Sequence, residues 1–186
     1  GTRMVVRFFG GFDFEAKDAS DRMPARVGYT KGVPMGGDLS KAPAGKTPTF
    51  LVAALKDPIG ANLDRIQVVK GWIDAKGEVQ EKVYDVAWSG GRKPDAKSGK
   101  VPAVGSSVNV AEATWTNTIG APELIAVWKD PDFDPKLRAV YYARVIEIPT
   151  PRWTAYDQKR FGIKMADTVP MTVQERAYTS PIWYTP

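Results

Sequence analysis

Hydrophobic and polar positions alternate along much of this chain. In MVVRFFG, Met4, Val6 and Phe8 fall on one side of an extended segment, while Val5, Arg7 and Phe9 fall on the other. That period of two predicts a first strand. TFLVAAL, residues 49–55, is a continuous apolar run of strand length, the pattern of a strand buried on both faces. LDRIQVVKGWID and EVQEKVYDVAWSG are β-rich runs joined by Ala75, Lys76 and Gly77, and they form the clearest hairpin signal. SVNVAEATWT and APELIAVWKD read as further strands, and KLRAVYYARVIEI as the longest of all. In RAYTSPIWYTP, Pro181 confines a strand to a sheet edge or places the proline at the strand's own first residues.

Between these runs the helical period is nearly absent. TAYDQKRFG, residues 154–162, is the one helix predicted, with Thr154 as its cap and Gly162 as its stop. DFEAKDASDRMPARVGYTKGVPMGGDLSKAPAGKTP is rich in turn-formers and reads as a long irregular excursion. Within it, GVPMGGDL lacks both the phosphate-loop lysine and GxGxxG spacing, so a tight turn with positive φ at Gly36 or Gly37 is expected. With 17 Gly and 15 Pro, the chain has turns enough for many short elements. About eight to ten strands and no repeat predict an all-β fold, a two-sheet β-sandwich of immunoglobulin-like or related kind with long loops. Residues 1–186 are expected to form a single domain.

Composition narrows the chemistry. There is no Cys and no His, which excludes disulfides, thiolate nucleophiles, Ser-His-Asp triads and the usual catalytic zinc sites within these residues. The net charge is +5, with 26 basic residues interspersed among 21 acidic ones. The densest basic stretch, GGRKPDAKSGK, has no aromatic residue on which a base could stack. It reads as a solvated loop carrying Arg92, Lys93, Lys97 and Lys100, and no nucleic-acid partner is expected. No apolar run reaches membrane-span length, so no membrane partner is expected either.

Three constellations merit weighing. KDPDFDP places Asp130, Asp132 and Asp134 at alternate positions, which could converge on calcium. It departs from an EF-hand, because Pro135 stands where that loop needs Gly and Tyr141 where it needs Glu. The competing reading is an Asp-Pro turn. Among the six Trp, Trp72 and Trp128 alternate with apolar neighbours and read as core. Trp153, beside Arg152 in PTPRW, reads as a ligand platform or as packing for the loop or another domain. Over residues 139–146 of KLRAVYYARVIEI, Arg144 is the one charge on two otherwise apolar faces, so its strand should be central and covered on both sides. Burial would demand an acceptor, and Glu175 is the expected one. Main-chain carbonyls, or a head group left in water, are the alternatives.

VVRFFGG, then VWKDPDFDP with YYARVIEIPTPRWTAYD, then QERAYTSPIWYTP together resemble the C-terminal region of the bacterial domain-of-unknown-function family 3604. The resemblance implies a preceding part similar to the PHP superfamily of metal-dependent phosphoesterases, whose metals are held by His, Asp and Glu. With no His here, no such ligand or catalytic residue carries over, and no cofactor is expected in these residues. The chain, opening on Gly1 in mid-strand pattern, is expected to be the back end of a longer protein. Its expected role is a non-catalytic accessory domain packed against the upstream domain of the same chain. An apolar patch should then lie near the first strand and near Arg152 and Trp153. A carbohydrate- or ligand-binding module is the alternative. If the parent is exported to the periplasm or cell surface, its address lies upstream.

Overall fold

The computed structural model describes residues 1–186 and holds two sheets across one apolar core. The smaller sheet runs in the order β2 (Gly32–Pro34), β1 (Val5–Gly11), β4 (Thr49–Leu55) and β7 (Glu123–Lys129), all antiparallel. The larger runs β3 (Asp38–Ser40), β12 (Ile182–Thr185), β8 (Ala139–Glu147), β5 (Leu63–Ile73) and β6 (Val79–Trp88). A further strand, β11 (Arg176–Tyr178), also pairs with β8. To one side lies a short ladder of β9 (Thr150–Pro151) and β10 (Thr172–Val173). Two short helices, α1 (Pro24–Lys31) and α2 (Trp153–Phe161), complete the chain. The fold is therefore mostly β and sandwich-like.

The predicted alternation of β1 explains the packing. Met4, Val6 and Phe8 turn into the space between the sheets, where Phe8 stacks on Phe50 at 5.3 Å and Phe50 meets Tyr141 of the opposite sheet at 4.5 Å. Phe9 turns outward into a second small core with Phe14, Val27 and Leu51. Because β4 serves both cores, Phe50, Leu51 and Val52 are all fully buried, as its unbroken apolar run requires. Each such side chain contributes roughly 1.5–3 kcal/mol on burial.

Several expectations need correction. The excursion after β1 contains a 3-10 turn at Ala16–Ser20, α1 and two short strands. Pro24 opens α1, and Gly28 lets it approach so closely that a Cβ there would fall 2.4 Å from the Phe9 ring. SVNVAEATWT forms no strand, only a bridge between Asn109 and Thr114. The longest strand is β5, with 11 residues against 9 in β8. At α2 the cap position is Arg152, and the Thr154 hydroxyl donates to the Pro170 carbonyl at 2.6 Å. Gly162 does end that helix, with φ of 62°. The positive φ of the GVPMGGDL turn falls on Gly36, at 87°. Pro181 immediately precedes β12, which lies between β3 and β8 and is no edge strand.

Candidate functional site

The aspartates of KDPDFDP do not converge on a cation site, and the calcium reading is corrected by their partners. Asp130, at the end of β7, points into the core and meets Lys70 of β5, Nζ to Oδ2 at 2.6 Å, with side-chain exposures of 0% and 4%. The Tyr141 hydroxyl donates to the same oxygen at 2.7 Å, and the Asp132 amide donates to Oδ1 at 2.9 Å. Lys70 also donates to the Asp132 carbonyl at 2.7 Å and lies 5.2 Å from the Trp72 ring centre. The cation at this centre is thus the lysine itself. Asp132 turns away to Lys82 and Tyr84, whose hydrogen bonds hold its carboxyl below the usual range against the opposing effect of burial. Asp134 accepts from the Lys136 amide, closing the turn. Burial, then the charge and hydrogen bond of Asp130, push the Tyr141 hydroxyl up, so it serves as a donor and not as a base. Lys70 escaped the sequence reading although it sits on the apolar face of Ile66, Val68 and Trp72.

Arg144 is not paired with Glu175. Its Nε and Nη2 donate to Gln67 Oε1 at 2.8 and 2.5 Å, and Gln67 Nε2 donates in turn to Asp85 at 2.7 Å. The face of β8 that carries Arg144 is only half-buried, so a neutral amide suffices where full burial would have demanded a carboxylate. Glu175 contributes its carbonyl, which accepts from the Glu147 amide at 3.0 Å. The basic loop is likewise less free than expected. Arg92 reaches Asp64 at 2.8 Å with its side chain 15% exposed, and Val101 donates to Asp85 at 2.7 Å. Lys93, Lys97 and Lys100 are exposed as predicted.

At the end of the sandwich where β1 begins, two buried carboxylates hold the leading residues. The Thr2 hydroxyl donates to Glu147, and the Arg3 amide donates to Asp57 at 2.9 Å. Burial raises the Glu147 carboxyl, with Thr2 opposing and the negative charges of Glu175 and Asp57 adding to the rise. Asp57 is held low, chiefly by the Arg3 amide. Around this end Val5 and its ladder partner Leu55 are half-exposed, and Ile59 is 79% exposed. Trp153 is also exposed, with the Arg152 guanidinium 5.6 Å from its ring centre. Both neighbourhoods named from the sequence therefore present apolar side chains.

The opposite end of the larger sheet carries a cleft of about 480 Å³ on its outer face. Asp38, Trp183, Val140 and Gly71 occupy one row across β3, β12, β8 and β5. Ile73, Val79, Arg138 and Thr185 complete its walls. The sequence signal for Trp183 is its alternation with the buried Ile182 and Tyr184, which turns it outward.

The sequence pattern of DUF3604, described as a protein of unknown function, matches residues 1–186. The chain belongs to the DUF3604 family. No curated protein matches it. The three segments that carried the resemblance build the heart of this DUF3604 domain. VVRFFGG is β1, VWKDPDFDP brings Asp130 to Lys70, YYARVIEIPTPRWTAYD spans β8 to α2, and QERAYTSPIWYTP supplies both strands that pair along one side of β8. No helix of the DUF3604 chain is long and apolar enough to cross a membrane.

Proposed function

We propose that this DUF3604 domain is a non-catalytic accessory sandwich. In this reading it packs, through the end at which β1 begins, against a metal-dependent phosphoesterase-type domain that precedes it in the same chain. The observation that carries the reading is the anchoring of Thr2 and Arg3 to the buried Glu147 and Asp57, beside exposed Val5, Leu55 and Ile59. A leading segment tied into the fold by its own hydrogen bonds leaves little swivel for whatever it joins, and exposed apolar side chains beside it favour a fixed contact. The preceding domain would supply metal and chemistry; the sandwich would supply a rigid wall.

Hydrogen exchange tests this directly. Amide exchange is followed in the isolated domain and in a DUF3604 protein that carries both parts. Slower exchange around Leu55 to Gly60 and at the start of β1 in the longer protein is the expected result. Equal exchange at those amides in both proteins would overturn the packing.

A further inference from the structure

We infer that the outer-face cleft around Trp183 is a binding site for a neutral oligosaccharide. The Trp183 indole is 51% exposed, and its row continues over Val140 to Gly71, which has no side chain to fill the floor. A Cβ at Gly71 would stand 3.0 Å from a Val140 methyl, so a larger side chain here would have to displace Val140 and would raise the floor. The walls are apolar at Ile73 and Val79, and its volume of about 480 Å³ falls within the range of small-ligand sites. At the rim stand Asp38, Arg138 and Thr185, whose side chains are exposed and make no hydrogen bond or ion pair within the fold.

This combination selects the ligand class. A pyranose ring has an apolar C–H face that stacks on an indole and an equator of hydroxyls that both donate and accept. Asp38 offers acceptors, Arg138 offers donors and Thr185 offers both. One carboxylate and one guanidinium at the same rim favour a neutral ligand over an anion or cation. A purely apolar ligand would leave those groups unused, whereas a sugar engages floor and rim together.

Position also supports the assignment. Val140 lies at the start of β8 and Glu147 at its end, seven steps apart. At about 3.3 Å per residue that is more than 20 Å, so the cleft faces away from the end proposed to meet a preceding domain. Packing at that end leaves the cleft uncovered, and its occupation is independent of that packing.

The test uses the whole 186-residue chain, with cellohexaose, xylohexaose, mannohexaose and maltohexaose as probes. Tryptophan indole N–H resonances are followed during titration, with Trp183 assigned through Trp183→Phe. A saturable shift of the Trp183 resonance with at least one probe is expected. Its affinity should fall at least about tenfold in Trp183→Ala and in Gly71→Val, and stay unchanged in Trp153→Ala. Trp183 is half exposed, so its alanine variant should lose some stability yet stay folded, as a cooperative melting transition will show; Arg138→Ala, with the same expected loss of affinity, serves if Gly71→Val does not fold. No saturable shift with any probe, binding that survives Trp183→Ala, or a response confined to Trp153 would each overturn the inference. None of these outcomes bears on exchange at the other end, so the two readings fail separately.

Discussion

Replacing Lys70 by Met removes the cation that the buried Asp130 depends on. The ammonium and carboxylate are 2.6 Å apart and almost wholly excluded from water, so the variant strands a carboxylate with only the Tyr141 hydroxyl and the Asp132 amide for company. Breaking a buried pair in this way costs about 3–5 kcal/mol, far more than the pair is worth against an apolar replacement of both members. For a domain of this length each kcal/mol lowers the melting temperature by roughly 2–4 °C, so Lys70→Met should lose about 10 °C. Urea unfolding with an unchanged m value reads the free energy. Asp130→Asn alone should also destabilise, by leaving Lys70 charged between Trp72 and Tyr141. The double variant should be less harmed than the sum of the two, by about 2 kcal/mol or more. Asp132→Ala, which breaks a pair with Lys82 about half exposed on each side, should cost less than about 1 kcal/mol and calibrates the assay. A Lys70→Met loss under about 1 kcal/mol, or strict additivity in the cycle, would refute the view that this pair is a desolvated tie between the sheets.

The elements legible in the sequence are those whose own periodicity already states which side is buried. Residues of β1 and the β5–β6 hairpin need no distant partner to be recognised, because a strand's two faces are written in alternate positions, and β4 declares itself by an unbroken apolar run of strand length. α1 is different: PARVGYTK buries only Val27 and Gly28, and its Gly and Thr are weak helix formers. It exists because Phe9 and Leu51 on the outside of the smaller sheet need a cover, a demand set by residues far away in sequence. SVNVAEATWT has strand-like alternation but finds no ladder beyond one bridge, so propensity alone could not form it. The site residues follow the same division. A lone charge on an apolar face correctly marked Arg144 as needing a partner, but which partner depends on how deeply that face is covered. Lys70 carried the same signal on a face that is fully buried, and there the partner is indeed a carboxylate.

Two further substitutions test local parts of this structure. Gly28→Ala would be expected to stabilise an isolated helix by up to about 1 kcal/mol. Here the added methyl runs into the Phe9 ring, and a net loss of about 1–3 kcal/mol is expected by urea unfolding; a net gain would mean that α1 does not sit against β1 as described. Glu147→Gln probes the buried acid beside Thr2. Burial is the main cause of its raised carboxyl in the folded state, so the folded protein holds this proton more tightly than the unfolded chain, and stability falls as pH rises through the folded-state value. Below the unfolded value of about 4.3 the acid is neutral in both states and the penalty is absent. Glutamine cannot ionise, yet its amide oxygen can still accept from the Thr2 hydroxyl. The variant should therefore gain stability over the parent at pH 7 and show a much smaller difference at pH 4, read as urea midpoints at each pH. An equal difference at both pH values would place the effect in packing rather than ionisation. A loss at pH 7 would mean that the charged carboxylate is needed to hold Thr2, and that its ionised form is the one the folded state favours.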